Sequence, residues 1–320
     1  MATAVIAFGG NAFVPEDASG SYPQQAATIQ QMAHVVADVH RRGYRVVIVH
    51  GNGPQVGALA IQHEAGASEV PAQPLFVLDA MTQGQLGHML AIAVRNVMEP
   101  DTPVSVVLTH VVVDHADAAF DDPTKPIGPF YQPDEARRLA RDRGWTVRPV
   151  GSDTCRRVVA SPAPVEIVEL DSVRMLTEAG AVVIAGGGGG IPIVRTNDGL
   201  HGVDAVIDKD RVACRIAHQL DATLLVLVTG VPAVAVDFGT PDERTIDQMT
   251  LAQARTHLAD GQFPAGSMGP KVSSAVDFVS GDGNRLALIT SDAHVVDGLD
   301  GRHGTRISDV AAPHSEEIAV

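Results

Sequence analysis

The 320-residue chain reads as an open α/β fold, a mostly parallel sheet covered by helices on both faces. Three observations predict it. Short apolar runs ending in glycine alternate with helical patterns along most of the chain, as expected of strands buried on both faces. Hydrophobic residues make up 45% and charged residues 19%, which suits a globular enzyme and is too apolar for disorder. Aromatic residues make up only 4%, while Gly and Pro number 31 and 20, so the core must be aliphatic and the loops sharp.

The first apolar run, Thr3–Phe8, leads into Gly9-Gly10-Asn11. A helix is expected from Pro23 to Arg42. Proline fits a first turn, Ile29, Met32, Val36 and Val39 share one face, and Gly43 ends it. Arg45–Val49 is the next strand, feeding His50-Gly51-Asn52-Gly53-Pro54. Leu75–Met98 reads as one long helix and Val104–Val113 as one strand. Residues 115–164 break the rhythm: rich in Pro, Asp and Arg, they hold one short helix (Asp134–Asp142) and one strand (Trp145–Val150). Such a length inside an α/β domain predicts an inserted subdomain or lid. Strands at Ala181–Ala185, Thr223–Val228 and Arg285–Thr290 complete the sheet. Asp208 is placed to cap a helix carrying Val212, Ile216 and Leu220.

The formal net charge of −15 repels nucleic acid and anionic lipid, so any phosphate must be held by a few local cations. Two cysteines, Cys155 and Cys214, exclude a disulfide framework or multi-cysteine zinc site and are expected to be reduced packing residues. No apolar run approaches the ~20 residues of a membrane span, and the N-terminal MATAVIAFGG lacks a basic leader. A soluble, cytoplasmic protein with neither nucleic-acid nor membrane partners is the expectation.

Three strands end in glycine-rich turns: Gly9-Gly10-Asn11, His50-Gly51-Asn52-Gly53 and Gly186–Gly190. The carboxyl ends of strands form the ligand crevice of such sheets, and glycine lets backbone N–H groups approach an anion there. The spacing excludes two nucleotide-binding alternatives. Gly57 falls one residue too late for a dinucleotide fingerprint, and no P-loop pattern occurs. Lys125, Lys209 and Lys271 are the only lysines, each in a Gly-, Pro- or Asp-rich setting. The Asp208 cap would hold Lys209 and Asp210 at a helix start facing the crevice. His110 and His115, five apart, would point to opposite faces of a strand, which argues against a shared metal. His50 fits either a ligand contact or a packed, hydrogen-bonded ring.

Taken together, these residues resemble the carbamate kinases. The resemblance rests on Ala7-Phe8-Gly9-Gly10-Asn11, His50–Gly57, Ala80–Gly84, Pro123–Tyr131, Arg156-Arg157-Val158-Val159, Gly186–Pro192, Val206–Asp210 and Gly266–Val272, collinear from residue 4 to about residue 291. It implies the amino-acid kinase fold: an open three-layer αβα sandwich with a protruding subdomain, normally a homodimer. The chain would be one domain, 1–320, with a carbamate or carbamoyl-phosphate lobe (1–220), a lid (115–164) and a nucleotide lobe (221–320).

The implied reaction interconverts ATP plus carbamate with ADP plus carbamoyl phosphate, using Mg²⁺. By the resemblance, Lys209 and Lys271 supply charge, Asp210 orients both, and Lys125 reaches over from the lid. Gly10, Asn11, Gly51 and Asn52 hold carbamate or carbamoyl phosphate through N–H and amide donors. Thr229, Gly230, Met268 and Lys271 lie at the nucleotide. The role implied is carbamoyl-phosphate consumption with ATP yield in amino-acid (arginine or agmatine) or purine breakdown, the direction being open. The chain departs from the family pattern at Thr229-Gly230-Val231, where Thr-Asp-Val is usual, at Ser152–Cys155, and at Gln85 and His88. The last four-residue stretch and the pair on the long helix suggest a related acceptor. A kinase for another small carboxylate or phosphonate, and a catalytically silent ligand sensor, are the competing classes.

Overall fold

The computed structural model describes residues 1–9, 20–151, 153–264, 266–280 and 284–309. In the first part of the chain, β1 (Ala2–Phe8), α1 (Tyr22–Arg41), β2 (Tyr44–His50), α2 (Gly53–Ala65), α3 (Leu75–Val97), β3 (Val104–Val106) and β4 (His110–Val113) follow one another. The insertion adds β5 (Lys125–Tyr131), α4 (Pro133–Arg143), β6 (Thr146–Val150) and β7 (Thr154–Val159). The chain returns through β8 (Pro164–Ile167), α5 (Leu170–Glu178), β9 (Val182–Ile184), β10 (Ile191–Thr196), β11 (Gly199–Gly202) and α6 (Lys209–Gln219). The remainder comprises β12 (Leu224–Val228), β13 (Val234–Val236), β14 (Arg244–Ile246), β15 (Gln248–Thr250), α7 (Leu251–Ala259), α8 (Met268–Val279), β16 (Leu286–Thr290), α9 (Val295–Leu299) and β17 (Thr305–Ser308).

The central sheet runs β15-β17-β16-β12-β1-β2-β9-β3. Its pairs are parallel except β16 with β17. Strand alternation divides its aliphatic side chains between two cores. Val5, Ala7, Val47, Val49, Leu225 and Leu227 meet Val212 and Ile216 of α6 and Val272, Ala275 and Phe278 of α8. Ala4, Ile6, Phe8, Val46, Ile48 and Val226 meet Ile29, Met32 and Val36 of α1 and Leu86, Leu90 and Val94 of α3. The three-layer αβα sandwich follows from this two-sided burial. Ser21 and Gln24 form a capping box on α1, beside the proline read as a start signal.

Two expectations are corrected. Val104–Val113 is not one strand: β3 pairs with β9 in the central sheet, whereas β4 runs parallel to β10 in a second sheet, β11-β10-β4-β8. Buried Gln83 stabilises the break by clamping Thr109. Its Nε2 donates to Thr109 O at 3.0 Å, and its Oε1 accepts from Thr109 N at 2.9 Å, which replaces a ladder partner. The insertion also holds more than one strand. β5, β7 and β6 form an antiparallel sheet beside α4. Pro126, Gly128 and Pro129 hid β5, but it sits at the edge of that sheet, where proline is tolerated.

The insertion is docked onto α2 through backbone. A Cβ built on Gly57 would lie 2.0 Å from Gly128 N, and Gly128 itself has φ +68°. Only glycine permits both the approach and the turn. Glu64 of α2 fastens the other end, accepting from Arg143 Nη1 at 2.5 Å, Trp145 Nε1 at 3.1 Å and Arg157 Nη1 at 3.2 Å. Among the described residues, no helix is long and apolar enough to cross a membrane.

Candidate active site

The carboxyl ends of β1, β2 and β12 open into a cleft of about 620 Å³, closed over by β5 of the insertion. Gly9, Gly51, Gly53 and Gly188 line it, so all three glycine turns reach the same space. Gly10 and Asn11 lie outside the described residues. The second turn places the start of α2, with Pro54 in its first turn, at the cleft wall, where free helix N–H groups favour an anion. The glycine run has a steric reason as well: Cβ atoms at Gly188 and Gly189 would lie 2.3 Å from Asn52 Nδ2 and 2.1 Å from Ile207 O.

Lys125, Lys209 and Lys271, from three separate segments, meet in the cleft. Lys209 Nζ donates to both Asp210 oxygens at 3.0 Å, and Lys271 Nζ donates to Oδ1 at 3.3 Å and Oδ2 at 3.0 Å. Asp208 caps α6 as expected, its Oδ1 accepting from Asp210 N at 2.9 Å and Arg211 N at 3.3 Å. The other oxygen of Asp208 accepts from Lys125 Nζ at 2.5 Å. One carboxylate thus sets the first turn of α6 and anchors the lysine of the insertion.

Burial alone would discharge these groups, yet the ion pairs keep most of them ionised. Desolvation pushes the Asp208 and Asp210 carboxyls up, but the surrounding lysines outweigh it and hold both below the usual range. Burial opposes charge on Lys209, whereas Asp210 and Asp208 raise its pKa. Lys271 goes the other way. Burial, with the like charge of Lys209, outweighs Asp210 and pulls its ammonium down to about 8. Three lysines and Arg156 against two carboxylates leave a positive end in an acidic protein, suited to receive phosphate oxygens.

Asn52 is held more specifically than the sequence indicated. Its Nδ2 donates to Asp79 Oδ1 at 2.9 Å and to Thr82 Oγ1 at 2.8 Å, while Thr82 donates its hydroxyl proton to Asp79 O at 2.7 Å. Thr82 therefore can only accept from Asn52, which fixes the amide orientation. The expectation that Asn52 offers amide donors to the ligand is corrected: both donors are committed within the wall. Its Oδ1 takes no part in these bonds. Asp79 is fully buried with no cation beside it, and burial pushes its carboxyl well up despite the bond from Asn52.

Thr229, Gly230 and Lys271 line the C-terminal side of the cleft, with Gly266, Ser267 and Pro270. Met268 does not line it. Its side chain packs half-buried against the core. His50 is packed: its Nδ1 lies 3.0 Å from Gly51 O, Gly187 abuts the ring, and burial pulls its pKa down to about 4, so the ring is neutral. Gln85 and His88 are exposed on α3, which corrects the expectation that they bear on the acceptor. His110 bonds Glu169 Oε1 at 2.8 Å, and His115 sits exposed beside Asp114. Sequence reading assigned no role to Arg156 or Asp79. Arg156 lines the cleft, donates to Gly128 O at 2.6 Å and lies 5.1 Å over the Phe130 ring. Its position in an Arg-Arg pair inside a strand, and Asp79's isolation in an apolar helix, were the available signals.

A sheet of this order, with glycine turns and lysine–aspartate clusters at its carboxyl ends, defines a phosphotransferase of the amino acid kinase family, and the chain belongs to that family, whose model matches residues 2–291. The chain is similar to several carbamate kinases at about 40% identity. It is 42% identical over 313 residues to the carbamate kinase of Thermococcus kodakarensis, covering 96% of this chain and 99% of that one. Carbamate kinase 2 of Enterococcus faecalis is also 42% identical, over 96% and 99% of the two chains. The solved carbamate kinase from Giardia lamblia bound to AMP-PNP superposes with a TM-score of 0.87 at 40% identity, covering 96% and 98%. Within the amino acid kinases, the chain groups with the carbamate kinases.

Proposed function

We propose that the chain is a carbamate kinase: it transfers the γ-phosphoryl group of ATP to a carbamate oxygen and returns it from carbamoyl phosphate to ADP. The observation that carries this reading is the pair Lys209 and Lys271 on one carboxylate, Asp210, at the end of a glycine-walled cleft. Carbamate is already an anion, so its oxygen needs no general base. The barrier is charge crowding as a phosphoryl group passes between two anionic oxygens, and positioning with fixed cations lowers it. Lys209 and Lys271 face the transferring group, and Asp210 holds them in place. Gly51, Asn52, Gly10 and Asn11 hold the small substrate, and Lys125 closes over it.

The Asn52 Oδ1 acceptor suits a ligand that carries N–H, which carbamate does and a plain carboxylate does not. Thr229, Gly230 and Lys271 serve the nucleotide, so residues 1–220 form the small-substrate lobe, 115–164 the lid and 221–320 the nucleotide lobe of one domain. Both carboxylates of the cleft are already engaged by lysines. The donor set therefore fits Mg²⁺ carried on the nucleotide phosphates better than an ion held by protein alone. Mg²⁺ bound in that way would supply charge neutralisation to the nucleotide phosphates.

The protein acts as a cytoplasmic homodimer. Met81, Ile92, Val106 and Leu108 are exposed apolar residues on α3 and the strand end beside it, which supports a self-association face. Its working direction is ATP formation from carbamoyl phosphate. Purified protein with Mg-ADP and carbamoyl phosphate should form ATP above the spontaneous background. A folded protein that forms none would instead be a sensor or a kinase for another acceptor.

A further inference from the structure

A second cavity, of about 480 Å³, opens between α6, α7 and α8, further along the two helices that begin at Lys209 and Met268. Arg211 and Arg215 of α6 and Arg255 of α7 line it, with Ser273, Ser274, Asp277 and Ser280. No side chain in it takes part in the cleft described above.

Its polar groups are poorly matched within the protein. Among the described residues neither Arg211 nor Arg215 forms an ion pair, although Asp117 lies near enough to Arg211 to feel its charge, and the Arg255 side chain donates to Ser280 Oγ at 3.0 Å. Two lining groups are buried without any hydrogen-bond partner: Arg215 Nε and the hydroxyl of Ser274, a residue only 4% exposed. Buried donors left unpaired lose their hydration with nothing in return, so a ligand that supplies oxygen atoms recovers that loss. The lining carboxylate, Asp277, already accepts from Cys214 Sγ at 3.4 Å. Excess basic charge here is not a general surface property, because the chain as a whole carries −15.

A cation is the wrong occupant. Asp277, Cys214 and His218 lie close enough to ligate one. However, Arg285 Nη1 takes the His218 Nδ1 at 2.6 Å and leaves Nε2 alone toward Asp277, 4.0 Å away, burial pushes the Cys214 thiol far up, and three further guanidiniums crowd the space. Planar guanidinium forks with hydroxyls between them match a tetrahedral oxyanion.

We propose that this cavity binds a phosphate group, as free phosphate or as a phosphomonoester, and ties α6 to α8 when filled. Since those helices carry Lys209, Asp210 and Lys271 at their starts, the ligand would brace the catalytic pair from behind.

The test is equilibrium dialysis of the full-length protein against labelled inorganic phosphate at constant ionic strength, for wild type, Arg215→Gln and Ser274→Ala. The main cleft is identical in all three, so its own phosphate binding cancels in the comparison. Wild type should bind one equivalent more than Arg215→Gln, whose affinity at this site should fall about tenfold or more. Ser274→Ala should weaken phosphate about threefold or more while being at least as heat-stable without phosphate, because it removes an unpaired buried hydroxyl. A hydroxyl with a purely structural role would leave phosphate affinity untouched. Equal stoichiometry and affinity in all three proteins would overturn the proposal. Repeating the series with glycerol 3-phosphate separates the two sources: tighter binding than phosphate marks a phosphomonoester, and equal or weaker binding marks the free ion.

Discussion

Asn52 donates to Asp79 across 2.9 Å of buried space, and Asp79 forms no ion pair among the described residues. The pair links the second glycine turn to the second turn of α3 and fixes the orientation of the Asn52 amide. Burial pushes the Asp79 carboxyl well up, in favour of its neutral form. Asp79→Asn should therefore leave the KM for carbamoyl phosphate close to wild type, since a neutral acceptor is all that is needed. Asp79→Ala frees the Asn52 amide to rotate and should raise that KM by about three- to tenfold, the value of one lost hydrogen bond. Steady-state kinetics of the two variants, with thermal melts, decide it. A large loss in Asp79→Asn would mean that a charged carboxylate is required.

Lys271 sets an alkaline limit. Its pKa is pulled down to about 8 by burial and by Lys209, so the ammonium is charged below that pH and neutral above it. Since kcat/KM reports the free enzyme, it should fall as pH rises through about 8, whereas kcat, measured with anions bound, should hold to higher pH. Lys271→Arg should be slower throughout but lose this alkaline limb, because guanidinium stays charged. A wild-type kcat/KM flat through pH 8 to 10 would contradict the assignment.

Gly57 and Gly128 hold the insertion against α2 with backbone on backbone. Gly57→Ala puts a methyl group where Gly128 already stands, so the insertion must lift. The expected cost is about 1–3 kcal/mol of stability. Since Lys125 rides on the same strand, KM for carbamoyl phosphate should rise more than kcat falls. Chemical denaturation and kinetics on the same sample check both parts.

The central architecture was legible because each strand is a short aliphatic run closed by glycine, and each main helix has a readable start. The Asp208 cap and the proline in the first turn of α1 both occur where the residues indicated. The break at Thr109 was not legible. In Val104–Val113 the polar pair Thr109-His110 is no turn signal by itself, and the clamp that makes the break, Gln83, lies on a distant helix. β5 was concealed by prolines that an edge strand tolerates. In the cleft, the lysines stood out by their scarcity, but the Asp79–Asn52–Thr82 wiring depends on contacts across 27 and 30 residues. Composition and local spacing carry no trace of such pairs.

Gly230 lies at the cleft with no heavy atom within 4 Å of a built Cβ, so a larger side chain fits there without displacing anything. Gly230→Asp should therefore fold normally and alter ADP affinity or base preference, by placing a carboxylate at the proposed nucleotide site. Isothermal titration with ADP and GDP measures it. Unchanged affinity and selectivity would show that residue 230 does not face the nucleotide.

The three lysines should separate by kinetic role. Lys209 and Lys271 share Asp210 at 3.0 Å and are proposed to act on charge that develops during transfer. Lys→Ala at either should lower kcat by about 10²–10³, the usual loss for one preorganised donor. Lys125 is different, because it is tied to Asp208 from the edge strand of the insertion. Its bond must yield or be shared when a phosphate enters, so Lys125→Ala should raise KM for carbamoyl phosphate at least as much as it lowers kcat. Lys209→Arg should not restore the rate, since a planar fork cannot occupy the compact position beside both oxygens of Asp210. Circular dichroism verifies the fold of each variant. If Lys209→Ala or Lys271→Ala keeps kcat within about threefold of wild type, far short of the donor-loss value, neither lysine touches the transferring group. The positive end of the cleft would then serve binding alone.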